Sequence, residues 1–492
     1  MAKISAFKSP QTVSALNGYD PGKFYCELLG TTKEPNARIA PLWRSLETSD
    51  LDQLRLRVQD AERELFNLGI TFTVYTEKDA LDRILPFDVI PRVISANDWT
   101  TVEAGVKQRV KALNMFLHDI YHERRILADG IIPAELVLKN ACYRPEMVGI
   151  DLPHNTYIHV NGTDIVRDQS GKMLVLEDNG RSPSGVSYVV ENRHLMQRAF
   201  PDLMQGLKVR PVSDYGKRLL GKLREVAPAG VANPCVVLLS PGIFNSAYFE
   251  HVFLAREMGV TLVEGGDLVV ENDRVYAHTI AGLSPVHVIY RRINDEFLDP
   301  TAFNKDSMLG VSGLLRAVQR GNVTLANAIG TGVADDKAIY AYVPRIIRYY
   351  LSEEPKIASV ETHICAEPEG LAYTLANLER LVLKPVGESG GYGIVIGPKA
   401  SKAELEEAAA KLKAEPKNFI SQPMIDLSVS PTLMENGARA RHVDLRPYAV
   451  TGRDTWVLPG GLTRVALKEG ALIVNSSQGG GTKDTWVLAE DE

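Results

Sequence analysis

No apolar run in this 492-residue chain approaches the length of about 18 residues that a membrane-spanning helix needs. Nor is there a large excess of one charge. Its 55 Lys and Arg against 61 Asp and Glu leave a net charge of −6, so there is no global basic field for nucleic acid or an anionic membrane. Cysteine is scarce: Cys26, Cys142, Cys235 and Cys365 are scattered, without Cys-x-x-Cys spacing, and read as buried thiols in a reducing compartment. The first residues, MAKISAFKSPQTVSALNGYDPGK, lack the apolar stretch of a secretory leader, so the expected location is the cytoplasm. There is no Walker A loop, no GxGxxG opening a helix, no fixed-period repeat and no low-complexity segment. What remains is ordinary globular material, 45% hydrophobic and 24% charged, long enough for two or three domains.

Residues 1–150 read as a mainly helical N-terminal region. Leu51, Leu54, Val58, Ala61 and Leu65 repeat at helical spacing, as do Val106, Val110, Leu113 and Leu117, with the β-rich run ITFTVY between them. Residues 151–230 open with two strands, TYIHVNGTDIVRD and MLVLEDN, joined by a tight turn at QSGK and followed by a helical connection. In 231–330 the order CVVLLS, AYFEHVFLAREMG, VTLVEG is the alternation of a βαβ unit, with VHVIYRR a further buried strand. In 331–492, ADDKAIYAYVPRIIRYYL predicts a helix with an acidic start and a kink at Pro344. There, ASKAELEEAAAKLKAEP predicts an exposed helix with a Ser401–Glu404 capping box. Strands follow at FISQPMI, HVDLRPYAVT, DTWVLPGG, LTRVAL and ALIVN.

Two stretches carry chemistry. In LVLKPVGESGGYGIVIG a strand delivers Lys384, a loop holds Gly387, Ser389, Gly390, Gly391 and Gly393, and a second strand leaves. Glycines admit phosphate oxygens to backbone N–H groups and Lys384 adds a point charge, so this reads as a flap over a nucleotide; the plain alternative is a surface hairpin. In the acidic hairpin, a turn at 168–171 pairs Arg167 with Lys172, setting Asp164 opposite Val175 and Gly162 opposite Glu177. Period-two alternation then places Asp164, Glu177 and Asn179 on one face and Asp178 on the other. Three oxygen donors suit Mg²⁺, which binds a few carboxylate or amide oxygens plus water and phosphate; the alternative is a solvated strand end.

GTDIVRDQSGKMLVLEDNGRSPSG resembles the metal-binding strand pair of ATP-grasp ligases, with the D-alanine–D-alanine ligase spacing from Asp164 to Glu177 to Asn179. LVLKPVGESGGYG resembles that family's lysine strand and glycine loop, FISQPMI its adenine hinge, and DLRPYAV with TRVAL the arginine strands of the ribosomal-protein glutamate ligases. In those enzymes the glycine loop precedes the Glu-x-Asn strand; here it follows. The match, running from about residue 25 to Val487, is therefore to the circularly permuted ATP-grasp family, some of whose members are provisionally labelled glutathionylspermidine synthases.

The resemblance implies an α/β (α+β) permuted ATP-grasp fold. Its parts would be a βαβ pre-ATP-grasp-like domain and a mainly helical N-terminal region, with the 156–179 strand pair in one sheet with 419–475. It implies ATP and Mg²⁺, with metal at Asp164, Glu177 and Asn179, and phosphates at Lys337, Lys384 and the flap. Adenine would lie against the segment from Gln422 to Ile425. Arg464 would face the developing charge and Arg446 would be a neighbouring clamp, unless Arg446 pairs with Asp444 or Glu435. Asn475 with Gly479–Gly481 would form a second anion cradle.

The implied activity is carboxylate–amine (or thiol) ligation through an acyl phosphate, on small-molecule or peptide substrates. Helical (Alpha-E) and transglutaminase-like proteins are the implied partners, with no nucleic acid or membrane. Rival readings are an ATP-grasp phosphotransferase and a nucleotide-binding scaffold without turnover. His118 and His122 mimic zincin spacing but lack the glutamate and a third ligand, and read as a helix contact. No Cys-amidase motif surrounds Cys26 or Cys142.

Overall fold

The computed structural model describes residues 13–75, 80–386, 393–468, 470, 474 and 480–490. The long strand Val160–Arg167 is buried along its whole length and lies inside a sheet of ten strands among the described residues. On one side it pairs with Met173–Asn179, which is followed by the short Ala358–Ser359. On the other lie Gly437–Arg446, Leu462–Val465, Gly481–Val487 and Phe87–Ile94 in that order. Val429–Met434, Tyr448–Thr451 and Thr455–Val457 branch from this path. The acidic hairpin and the strands of 429–465 therefore share a sheet, as the permuted order requires.

FISQPMI departs from that expectation. Its strand Phe419–Pro423 pairs instead with Leu381–Pro385 in a separate four-stranded antiparallel sheet. Helices Pro368–Asn377 and Lys402–Ala414 accompany this small sheet, whose core includes Cys365, Leu383, Ala408 and Leu412. The second helix starts where its capping box predicts: Ser401 accepts from the Glu404 N–H, and Glu404 accepts from that of Ser401.

A third sheet is parallel, in the order Thr324–Ala326, Val288–Arg291, Val236–Leu239, Thr261–Val263, with Tyr248–Met258 as a crossover helix. Because the chain leaves Val236–Leu239 for one neighbour and later returns on its other side, the strand order reverses there. The carboxyl ends of strands at such a reversal open a crevice.

The N-terminal region is rich in helix but also sends Phe87–Ile94 into the large sheet, parallel to Gly481–Val487. The helix Ala96–Tyr121 ties the molecule together. Trp99, Val102, Val106 and Val110 pack with Ile165, Val175 and Leu445 of the large sheet, while Leu113, Phe116 and Ile120 join the core of the parallel sheet. No helix among the described residues is long and apolar enough to cross a membrane.

The acidic hairpin corrects the expected register. Asp168 pairs with Lys172 through its backbone N–H, and its side chain accepts from the N–H groups of Ser170 (2.9 Å) and Lys172 (3.0 Å). Gly171 closes this turn at φ +84°, a conformation suited to glycine. Arg167 is thus opposite Met173, one residue later than expected. A bulge then shifts the pairing again, so that Asp164 faces Glu177 and Gly162 faces Asn179. Either shift alone would have put Glu177 on the wrong face; together they restore the parity.

Candidate active site

Asp164 and Glu177 sit side by side at the end of the hairpin, and three further segments converge on them. The first is the pair of arginine strands. Arg446 binds both oxygens of Asp164 in a fork through Nε and Nη2, the Nη2 bond at 2.7 Å, and Arg464 Nη2 reaches the same carboxylate at 2.8 Å. Arg464 also grips Asp444, its cross-strand partner, through Nε at 2.9 and 3.0 Å. Arg446 therefore pairs with Asp164, not with Asp444 or Glu435. Burial alone would raise the Asp164 pKa, but the two guanidiniums outweigh it and hold it at about 2. Asp164, expected as a metal ligand, is first of all the anchor that orients both arginines.

The second segment brings the lysines. Lys337 opens the helix Lys337–Leu351, which begins later than expected, after a 3₁₀ turn at Thr331–Asp335. Asp336 caps it, accepting from the N–H of Ala338 at 2.8 Å. Lys384 projects from the small sheet and donates to Gln422 Oε1 at 2.6 Å, while Gln422 donates to Thr362 Oγ1 at 2.8 Å. The Gln422 side chain thus fixes a lysine. Burial lowers the Lys384 pKa to about 8; Glu177 opposes this shift and Lys337 adds to it. Burial and Asp164 raise the Glu177 pKa, against the attraction of Lys337, Arg446 and Lys384. Residues more than two hundred positions apart, on two sheets, thus share one electrostatic site.

The third segment holds the turn after the hairpin, RSPSG. Arg292, at the end of a parallel strand, donates to Pro183 O (2.8 Å) and Ser184 Oγ (2.6 Å). Glu250 accepts from the N–H groups of Gly185 (2.7 Å) and Ser187 (3.1 Å). Gly185 adopts φ +108°, and a Cβ there would lie 2.7 Å from the Tyr448 hydroxyl. Asn327 braces the same point, donating to Val160 O and Gly180 O, both at 2.7 Å. The turn that follows Glu177 and Asn179 is thereby held at the carboxyl end of a parallel strand.

The donor set suits a hard cation. Among the described residues, neither Glu177 oxygen accepts a hydrogen bond, although the residue is half-buried. Asn179 donates through Nδ2 to Gly162 O at 3.1 Å, which leaves its Oδ1 for another partner. Among the described residues no group of three His, Cys, Asp or Glu side chains could hold a metal by itself, so a cation here needs phosphate or water oxygens as well. That also disposes of the zincin-like pair: the His118 and His122 rings lie against each other, centroids 4.1 Å apart and planes tilted by 35°.

Gly387, Ser389, Gly390 and Gly391 lie outside the described residues, as do Asn475 and Gly479. Gly393 resumes the chain at φ +70° beside Pro385, and Ile425 is half-buried beyond the hinge strand. Gly481 starts the last strand of the large sheet. Asp335 was not anticipated. It accepts from the N–H groups of Gly180 (2.5 Å) and Arg181 (2.9 Å), and burial raises its pKa to about 7 against the Arg181 charge, with Glu177 adding to the rise. Its place in the acidic run before Lys337 was the available signal.

Asp178, on the opposite face, is a structural residue. It forms a fully buried ion pair with Arg109 and accepts from Thr163 at 3.3 Å. Asp178→Asn leaves that guanidinium without its counter-charge, and breaking such a pair costs about 3–5 kcal/mol. The expected outcome in a melting experiment is a large drop in Tm, with the metal dependence of the folded fraction unchanged.

Comparison with known proteins gives the class. Residues 91–466 match the circularly permuted ATP-grasp type 2 family, and the chain belongs to that family. It is 50% identical over 474 residues to an uncharacterised protein of Synechocystis sp., covering 96% of this chain and 98% of that one. It is 52% identical over 449 residues to an uncharacterised protein of Mycobacterium tuberculosis, covering 91% of this chain and 81% of the other. A Frankia alni protein provisionally named glutamate–cysteine ligase 2-3 is 41% identical over 475 residues, which are 96% of this chain but 54% of that protein. Among solved structures, a glutathione synthetase-like effector of Globodera pallida in its apo form superposes with TM-score 0.57 at 12% identity. That superposition covers 89% of this chain and 98% of the effector, and it bears on the fold alone.

Proposed function

We propose that the protein is an ATP- and Mg²⁺-dependent ligase that joins a carboxylate to an amine, or to a thiol, through an acyl phosphate. The observation that carries this reading is the convergence of Glu177, Lys337 and Lys384 from separate parts of the chain. Two cationic side chains acting on a half-buried carboxylate that has no hydrogen-bond donor among the described residues make a site for a phosphate chain bridged by a cation. Lys337 and Lys384 hold the triphosphate; Glu177 and Asn179, with Asp164 beside them, hold Mg²⁺, which when bound neutralises charge on the phosphate oxygens. The substrate carboxylate attacks the γ-phosphorus, ADP leaves, and the amine then displaces phosphate from the acyl carbon. Positioning and charge neutralisation suffice for the first step, and no protein nucleophile is needed. Arg464, its guanidinium plane locked by Asp444 and Asp164, faces the charge that develops on the acyl oxygen.

The Frankia name and that of the fold neighbour make amino acids, thiols and small peptides the first substrates to try. The test is a screen of amino acids, glutathione, polyamines and peptides for phosphate release from ATP with Mg²⁺. Release that depends on a carboxylate–amine pair supports a ligase. A stable phosphorylated product points to a phosphotransferase, and no release with any pair, with or without the helical and transglutaminase-like partner proteins, points to a scaffold.

A further inference from the structure

Arginine is used tightly in this molecule. Arg109, Arg193, Arg292, Arg446 and Arg464 each donate to a carboxylate at hydrogen-bonding distance. Two arginines beside the candidate site do not. Arg181 follows Asn179 by two positions, and its one ion contact among the described residues is Nε to Asp335 Oδ2 at 3.8 Å, too long for a hydrogen bond. Its side chain is 36% exposed. Arg144 spends Nη1 on Ala141 O at 2.7 Å, but its buried Nε has no hydrogen-bond partner, and its nearest carboxylates, Asp295 and Glu296, stand 3.8 and 3.9 Å away.

The two side chains border the same loop, residues 330–332. Gly332 lets Cys142 and Arg181 close over it: a Cβ there would fall 2.8 Å from the Cys142 sulfur and 3.3 Å from Arg181 Cδ. Arg144 reaches the same loop from its other neighbour: the Asp295 oxygen 3.8 Å from its Nε accepts from the N–H of Gly330, two residues before Gly332. Asn140, donating to Asp336 at 2.8 Å, ties this segment to the start of the Lys337 helix, and Asp335 joins Arg181 to the Glu177 end of the hairpin. At the rim is Glu296, 45% exposed, with Arg144 as its nearest cation. A buried Nε–H without a partner and a half-exposed guanidinium beside one loop are two cationic donors suited to a carboxylate. A carboxylate at the rim suits the neighbouring ammonium.

We propose that Arg181 and Arg144 bind the α-carboxylate of an amino acid, free or at the end of a peptide, with Glu296 facing its ammonium. One of the two substrates is therefore an amino acid that keeps this carboxylate outside the reaction. The proposal rests on the ligase reading, and the two fail separately in one experiment. Thermal shift of the full chain is measured with Mg²⁺ and a non-hydrolysable ATP analogue. The twenty L-amino acids and a set of dipeptides are then added, each beside its C-terminal amide.

The expected result is a further rise in Tm with at least one free acid, at least tenfold weaker for its amide. In Arg181→Gln and Arg144→Gln the half-saturating concentration of that acid rises at least tenfold, Arg181→Lys recovers part of the loss, and the nucleotide shift is unchanged. The retained nucleotide shift also certifies that each variant is folded. If wild type responds to nucleotide but no acid adds to it, or if acid and amide act alike, or if Arg181→Gln binds the acid as wild type does, the carboxylate site is overturned while the ligase reading stands. Absence of any nucleotide shift in wild type overturns both.

Discussion

Glu177→Gln is expected to lower ATP turnover by at least about 10²-fold, the scale on which loss of one preorganised charge-stabilising group is felt. It also moves the Mg²⁺ requirement to much higher concentration, because one ligand charge is gone while the size and one oxygen remain. The unliganded protein should be as stable as wild type or more so. Burial and Asp164 raise the Glu177 pKa above its ordinary value. For an acid with a raised folded pKa, the charged form opposes folding at neutral pH, and this penalty vanishes as pH falls below the unfolded value, near 4.5. Any gain in Tm for Glu177→Gln at pH 7 should therefore disappear at pH 4. Paired Mg²⁺ titrations of turnover and pH-dependent melts check both halves. Equal metal dependence in wild type and variant would remove Glu177 from the site.

Lys384→Met should abolish most of the stabilisation that ATP and Mg²⁺ give. A ligand of the native state contributes about 2.7 kcal/mol at a hundredfold excess over Kd, so the wild-type shift is readily measured. Without ligand the variant changes little: Gln422 Oε1 loses a donor, worth about 1 kcal/mol, but the cost of keeping a buried charge is relieved. The pH dependence has a definite sign. Lys384, with its pKa lowered to about 8, is charged below that pH, where it attracts phosphate and opposes folding. ATP affinity of the wild type should fall as pH rises through 8, while the contribution of this group to unliganded stability improves between 8 and 10.5. Lys384→Met should show neither trend. Titrations of ATP at pH 7 and pH 9, read as Tm shifts, distinguish these outcomes.

Patterns confined to neighbours in sequence were legible. The Ser401–Glu404 box starts its helix, and the alternation of Glu177, Asp178 and Asn179 puts Asp178 on the far face, where Arg109 holds it. The register of the same hairpin was not legible, because the Asp168 side chain lengthens the turn and a bulge follows. Arg446 and Arg464 stood out only through the resemblance to the arginine strands of the ribosomal-protein glutamate ligases, and their shared anchor, Asp164, comes from far along the chain and could not be paired with them by spacing. Asn327, Arg292 and Asp335 matter because they meet the RSPSG turn in space, which neither the strand VHVIYRR nor the acidic run before Lys337 reveals by itself. The sheet of residues 419–423 was misplaced for a related reason: an antiparallel partner such as Leu381–Pro385 is not specified by the strand's own composition.

The proposed ligase reaction requires that a carboxylate be phosphorylated by ATP and then captured. Its most direct test replaces the amine by hydroxylamine in the presence of ATP, Mg²⁺ and the candidate carboxylates. The expected product is a hydroxamate formed one for one with ADP and phosphate, lost in Glu177→Gln and in Lys384→Met. Formation of AMP and pyrophosphate, or of ADP with a phosphorylated product inert to hydroxylamine, would contradict it.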